Sequence, residues 1–214
     1  IQHVPNGIAE VFEIGEWFIE ESDIMVVLGD NFLYGDQLPE QLHLARKKVD
    51  GCTIFGYRVE KPSACNIVEL DESGAAKCIE EKPIFPKSDV AIPGIYFFSA
   101  DVVEKAKQIV PSYHGELEIT SVLDLYLKEM RLRVQLLSRG SIWFDLETAD
   151  DVFTLANYVK TVQQQQGIKI ACLEEIALVN GRITAEQLFE IAVTMRNQPY
   201  QQYLWRLIEK QGYE

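Results

Sequence analysis

Five apolar residues in succession, Ile24-Met-Val-Val-Leu28, run directly into Gly29-Asp30-Asn31. This pairing limits the fold more than any other stretch of the chain. An unbroken apolar run too short for a helix reads as a strand buried on both faces, as in a parallel sheet. In open α/β sheets ligands bind just beyond the carboxyl ends of such strands, which is where Asp30 falls. Two readings of Asp30 stay open at this point. It is a carboxylate placed to hold a metal, or it makes a turn with Asn31 and nothing more.

The flanking pattern supports an alternation of helices and strands. Ile8, Val11, Phe12, Ile14, Phe18 and Ile19 recur at helical spacing between Gly7 and Glu21, and Leu38, Leu42, Leu44 and Ala45 do so between Gln37 and Val49. Strands are expected at Cys52–Val59, Ala91–Phe98, Leu132–Leu137 and Ile142–Phe144. A hairpin is expected from Asn66–Leu70 through Asp71-Glu-Ser-Gly74 to Ala75–Ile79. Val102–Val110, Glu118–Met130 and Thr148–Gln166 read as helices, the last with Asp150 and Asp151 in its first turn, as the helix dipole favours. After Gly167 no strand pattern returns, and Glu174–Ala177, Thr184–Val193 and Tyr203–Glu209 read as short helices. The expected organisation is an α/β domain over residues 1–166, a mixed sheet flanked by helices, with a helical appendage over residues 167–214.

Charge and composition remove several function classes. A net charge of -13 argues against a nucleic-acid surface, which needs a positive patch, although it leaves room for a nucleotide site with a local cation or metal. Cys52, Cys65, Cys78 and Cys172 form no close pair and share the chain with three histidines, so free thiols in a reducing compartment are expected. No apolar run approaches the roughly 20 residues of a membrane span, and no secretory leader is evident, so a cytoplasmic location is expected. His3, His43 and His114 are too few and too scattered for a two-metal phosphoesterase.

A second strand-end carboxylate, Asp145, follows Ile142-Trp-Phe144. If the strands run parallel, Asp30 and Asp145 share one edge of the sheet and together suffice for Mg²⁺, which takes few protein ligands and completes its shell with phosphate oxygens. Ile79-Glu-Glu-Lys-Pro83 lies between them. Glu81 there is able to accept bonds from sugar hydroxyls and Lys82 to neutralise a phosphate, unless the group is only a solvated charge cluster before a proline turn.

Order and spacing add a further reading. The segments Gln2-His-Val-Pro-Asn-Gly-Ile-Ala9, Val27-Leu-Gly-Asp-Asn-Phe-Leu-Tyr-Gly35, Glu80-Glu-Lys-Pro-Ile-Phe-Pro-Lys87, Gly115-Glu-Leu-Glu-Ile-Thr120, Trp143-Phe-Asp145 and Cys172-Leu-Glu-Glu-Ile-Ala177 occur in this sequence in that order. With them the chain resembles the sugar nucleotidyltransferases, within them the branch that joins glucose 1-phosphate to dTTP. The resemblance implies a doubly wound, Rossmann-like nucleotide-diphosphosugar transferase fold and a reaction that makes dTDP-glucose and releases pyrophosphate. It implies Asp30 and Asp145 as Mg²⁺ ligands, Gln2 and Gly7 at the pyrimidine base, Glu81 on glucose hydroxyls, Lys82 on the sugar phosphate, and Gly94 where the backbone approaches the sugar. It also implies a glycine-rich phosphate loop and first strands upstream of Ile1, so a longer parent chain is expected. A homo-oligomer through the helical part is expected on the same ground.

The chain departs from the family's pattern at several positions. Cys65-Asn66-Ile67 stands for Tyr-Gly-Val, Pro93-Gly94 for Thr-Gly, His114 for an arginine, and Asp145-Leu146-Glu147 for Asp-Thr-Gly; in the appendage Leu173 stands for a proline and Val179 for an arginine. These differences leave two readings: an active transferase, or a non-catalytic homologue that binds a sugar nucleotide or a sister subunit.

Overall fold

The computed structural model describes residues 1–47 and 50–210, which divide into two compact units, one before and one after the junction of Glu147 and Thr148. The break precedes the long helix that the sequence pattern grouped with the sheet. The physical reason lies at Thr148, whose hydroxyl accepts the Asp151 N–H while the Asp151 carboxylate accepts the Thr148 N–H. That capping box starts a new element directly after Glu147.

The first unit carries α1 (Glu10–Ile14), α2 (Glu16–Ile19), β1 (Ile24–Val27), β2 (Asn31–Tyr34), α3 (Leu38–Lys47), β3 (Cys52–Arg58), β4 (Ile67–Leu70), β5 (Ala76–Glu80), β6 (Val90–Ala91), β7 (Ile95–Phe98), α4 (Val102–Ala106), α5 (Ile119–Lys128), β8 (Leu132–Leu136) and β9 (Ile142–Asp145). Seven strands form one mixed sheet in the order β1-β7-β3-β6-β4-β5, with β8 pairing in parallel with β3. β2 and β9 form a separate antiparallel ribbon. The strands buried on both faces are β3 and β7. Cys52, Ile54, Tyr96 and Phe98 point to a core with α1, α4 and α5, while Phe55, Ile95 and Phe97 point to the other face and α3. This is the alternation a central strand must show when helices cover both sides of a sheet.

β1 does not fit the expectation of a doubly buried strand. It pairs only with β7, antiparallel, and Met25 and Val27 remain exposed on one face. An apolar run therefore marked the strand correctly and its neighbours wrongly. Residues 7–21 are likewise two short helices instead of one. Gly15 sits at φ −91°, ψ 3°, and the turn there leaves Phe12 and Ile19 buried but Trp17 and Phe18 exposed. The expected end of α3 at Val49 lies outside the described residues. The strand expected over Ala91–Phe98 is split into β6 and β7. The helix expected to reach Val110 ends at Ala106.

The split in β6–β7 shapes the site. Both pieces pair with the same side of β3, yet β6 has β4 as its other neighbour and β7 has β1. The chain changes partner across Ile92-Pro93-Gly94, where the proline has no N–H to offer a ladder. A gap opens in the sheet between β4 and β1 at that point.

The second unit comprises α6 (Ala149–Gln166), α7 (Leu173–Val179), α8 (Ala185–Thr194) and α9 (Gln198–Lys210). Gly167 closes α6 in the left-handed conformation, at φ 68°, the usual glycine role at a helix C-terminus. Cys172, Leu188, Ala192, Tyr203, Leu204 and Ile208 form a small core, and the Tyr203 hydroxyl donates to the Glu175 carboxylate. α9 begins at Gln198, earlier than its apolar pattern suggested, because Pro199 suits a helix's first turn.

Phe98 lies at the centre of the first unit, fully buried, with the rings of Phe12, Tyr96 and Tyr126 at 5.2, 5.9 and 5.9 Å. Phe98→Ala is expected to lower the unfolding free energy by about 3–5 kcal/mol. A urea melt followed by circular dichroism measures this, and a loss below about 1 kcal/mol would show that the cavity collapses without cost.

Candidate active site

The turn from β1 to β2 is the first wall of the site. Asn31 N–H donates to the Leu28 carbonyl at 3.2 Å, which closes Leu28-Gly29-Asp30-Asn31. The opposite wall is the kink at Gly94. Its carbonyl accepts the Leu28 N–H at 2.8 Å, and its own N–H donates to Asn31 Oδ1 at 2.8 Å. A β-carbon at Gly94 would sit 2.7 Å from two Leu28 side-chain carbons and 2.9 Å from Asn31 Cγ. The glycine thus permits the close approach of the β1–β2 turn to the kink, in addition to any role toward a sugar.

Asn31 organises the acids around it. Its Oδ1 accepts from Gly94 N–H and from Trp143 Nε1 at 2.7 Å, which fixes which way the amide faces. Its Nδ2 then donates to Asp30 Oδ1 at 2.9 Å and to Asp145 Oδ1 at 3.3 Å. The two carboxylates expected at one sheet edge do come together, but by another route. β2 and β9 run antiparallel, with Asn31 opposite Asp145 in register, and Leu146 N–H donates to the Asp30 carbonyl at 2.9 Å. A parallel arrangement was not needed, because a strand start and a strand end meet in an antiparallel pair.

The third wall is the end of β5. Glu81 Oε2 accepts the Thr120 hydroxyl from the start of α5 at 2.7 Å. Its pKa is raised above the ordinary glutamate value, chiefly because burial disfavours its charge. Lys82 follows at φ 33°, a left-handed backbone for a side-chain-bearing residue. Asn66 Oδ1 accepts the Lys82 N–H at 3.3 Å, and Lys82 Nζ pairs with Glu147 Oε1 at 3.2 Å. Behind it, Glu80 accepts the Lys87 N–H at 3.1 Å and pairs with Lys87 Nζ at 3.2 Å, bracing both ends of the loop.

These walls enclose a cleft of about 200 Å³, lined among others by Asp30, Asn31, Glu81, Lys82, Gly94 and Asp145. Gln2 and Gly7 are not among its lining residues. Gln2 Nε2 donates to the Gly7 carbonyl at 3.1 Å and to Glu10 at 2.7 Å, and Gly7, at φ 101°, lies against the Leu117 backbone. Their neighbours Ile8, Glu116 and Glu118 do line the cleft. Of the departing positions, Cys65, Asn66 and Glu147 face the cleft, whereas the His114 ring packs against Tyr113 at a tilt of 39°. Sequence reasoning missed three contributors: Asn31 as the amide that orders both aspartates, Thr120 as the donor to Glu81, and Glu147 as the partner of Lys82. Trp143 and Thr120 stood in recognised segments, but nothing local signals which partner a side chain will meet across the fold.

The sequence pattern of the nucleotidyl transferase family matches residues 1–162, and the chain belongs to that family. Its relatives are glucose-1-phosphate thymidylyltransferases. The enzyme of Neisseria meningitidis serogroup A is 45% identical over 210 residues, which are 98% of this chain and 73% of that protein. Those of Actinoplanes sp. and Mycobacterium tuberculosis are 42% and 40% identical, over 97% and 98% of this chain and 68% and 72% of theirs. Among solved structures, a Bacillus anthracis protein assigned as a glucose-1-phosphate thymidylyltransferase, in complex with sucrose, superposes with a TM-score of 0.62 at 31% identity. It covers 72% of this chain and 61% of its own length. UDP-glucose pyrophosphorylase complexed with UDP-glucose matches with a TM-score of 0.64 at 20% identity over 75% of this chain and 64% of its own, a likeness of fold alone. The chain therefore spans less than two thirds of the length of these two solved proteins.

Two outcomes are expected from this geometry. Asn31→Ala leaves the Gly94 N–H and the Trp143 indole N–H without their acceptor, and is expected to lower stability by about 1–3 kcal/mol in a denaturant melt. Thr120→Val removes a bond that favours ionised Glu81, so the Glu81 carboxyl is expected to titrate higher still by carbon NMR. The sign is definite: a raised carboxyl pKa adds stability below the unfolded-state value, and that stability fades as pH climbs through the folded-state value.

Proposed function

We propose that the chain carries the catalytic half-site of a sugar-1-phosphate nucleotidyltransferase that joins glucose 1-phosphate to dTTP. A phosphate oxygen of glucose 1-phosphate attacks the α-phosphorus of dTTP, the bond from that phosphorus to the β-phosphate bridge oxygen breaks, and pyrophosphate departs with the electron pair. The attacking oxygen is already anionic, so the protein has no proton to remove and acts by alignment and charge stabilisation. The observation that carries the reading is the convergence of Asp30 and Asp145 on Asn31 in the gap of the sheet, beside Lys82 and Glu81.

The donor set fits a magnesium ion. Asp30 Oδ1 and Asp145 Oδ1 both accept from the one Asn31 amide nitrogen, and among the described residues no group of three or more His, Cys, Asp or Glu forms a metal cage by itself. Mg²⁺ needs no more than one or two carboxylates when phosphates supply the remaining oxygens. Asp30 and Asp145 would hold it, and it would supply the positive charge that two anionic substrates require to meet. Asn31 keeps both carboxylates in place through its fixed amide. Glu81, held by Thr120, accepts from glucose hydroxyls, and Lys82 neutralises the sugar phosphate. Gln2 and Gly7 remain assigned to the base by family resemblance, on the rim segment that leads into Ile8. With a nucleoside triphosphate as substrate, the reading includes a cytoplasmic location.

The test is release of pyrophosphate from dTTP and glucose 1-phosphate in the presence of Mg²⁺, with the Neisseria meningitidis glucose-1-phosphate thymidylyltransferase as the positive comparison. Asp30→Asn and Asp145→Asn are each expected to slow turnover about a hundredfold or more, in line with the loss of one preorganised charge contact. A chain that binds dTDP-glucose by calorimetry yet never releases pyrophosphate would establish the non-catalytic homologue instead. Asn66 and Glu147 favour that second reading, since both fill the cleft with side chains where the resembled family has glycine.

A further inference from the structure

Lys82 is the one lysine or arginine among the described residues that line the cleft, and it is not idle. Its ammonium crosses from the end of β5 to Glu147, just past the end of β9, at 3.2 Å. The pair spans 65 positions of sequence and bridges two walls of the site. The backbone at Lys82 is in a left-handed conformation, its N–H held by Asn66 and the following loop tied by the Glu80–Lys87 pair, which sets the point from which the side chain leaves. Both partners are exposed to a similar degree, 56% and 55% of their side-chain surfaces, so the pair is solvated and easily exchanged.

We propose that Glu147 is a built-in competitor for Lys82, an internal anion that any incoming phosphate must displace. The inference rests on the reading that Lys82 binds the sugar phosphate. A carboxylate carries one charge and a phosphate monoester close to two, so a dianion wins the exchange while a free monoanion does not. A free monoanion only equals Glu147 in charge, and it pays an association cost that a tethered carboxylate avoids. Glu147 in this way sets a threshold for the site. It weakens the binding of every anion at Lys82 by a common factor, so that only an anion of high charge keeps a useful affinity there.

The experiment is equilibrium binding of inorganic phosphate and of glucose 1-phosphate to the full chain, by calorimetry at low salt, with acetate as the monoanion. Glu147→Gln and Glu147→Ala are expected to tighten both phosphate ligands up to about fivefold, the range of an exposed ion pair, and acetate by a similar factor. Glu72→Gln, the same charge change at the exposed hairpin turn, is expected to behave as the unaltered chain. The gain is expected to shrink at high salt. Unchanged or weaker phosphate binding in both Glu147 variants, or an equal gain in Glu72→Gln, overturns the proposal. The readout needs no turnover. A chain whose Glu147 variants bind phosphate more tightly but which releases no pyrophosphate would fail as a transferase while keeping this competition.

Discussion

The side-chain amide of Asn31 is the interaction on which the site depends. One oxygen accepts from the Gly94 backbone and from the Trp143 indole, and one nitrogen serves Asp30 and Asp145. Those four partners come from the β1–β2 turn, the β6–β7 kink and the β2–β9 ribbon. The sheet is open between β4 and β1 because the strand beside them changes partner at Pro93-Gly94, and an open sheet loses ladder bonds that something must replace. The replacement is the Leu28 N–H on the Gly94 carbonyl and the Gly94 N–H on Asn31. These bonds satisfy the Leu28 N–H and both backbone groups of Gly94 at the edge of the gap.

Charge is the second constraint. Asp30, Glu81, Glu116, Glu118, Asp145 and Glu147 line the cleft with Lys82 as their cationic counterpart. A triphosphate and a sugar phosphate meet strong repulsion at such a surface unless cations enter with them. In the proposed reading, a divalent ion held by Asp30 and Asp145 would reverse the local sign there. Glu81 answers the same excess of negative charge differently. Burial together with the nearby Glu118 raises its pKa, while Thr120 pulls in the opposite direction, so one hydroxyl helps to keep this carboxylate an acceptor.

Much of this architecture is written locally. The hairpin at Asp71-Glu-Ser-Gly74 is legible because Asp71 accepts from Ser73 and Ala75 within its own turn. The start of α6 is legible because Thr148 and Asp151 satisfy each other three residues apart. Apolar runs marked β1, β3 and β7 as strands, yet period and composition say nothing of pairing direction. So the edge position of β1, its antiparallel pairing and the separate β2–β9 ribbon stayed hidden. For the site, Asp30 and Asp145 were visible as strand-end carboxylates, and Glu81 and Lys82 as charges leaving a strand. Asn31, Thr120 and Glu147 were not visible in those roles, because each is defined by a partner 39 to 114 positions away.

The substitutions at Asn66 and Glu147 belong together physically. Asn66 supports the backbone of Lys82 and Glu147 engages its ammonium, so both act on the same residue from different walls of the cleft. A left-handed lysine costs about 1 kcal/mol and persists only if its surroundings enforce it. The chain supplies that enforcement with Asn66 Oδ1 and the Glu80–Lys87 brace. A lysine held in this conformation marks a candidate functional position, because such strain clusters at sites where geometry matters. The altered neighbours then change how strongly the lysine is available while its place in the cleft is kept.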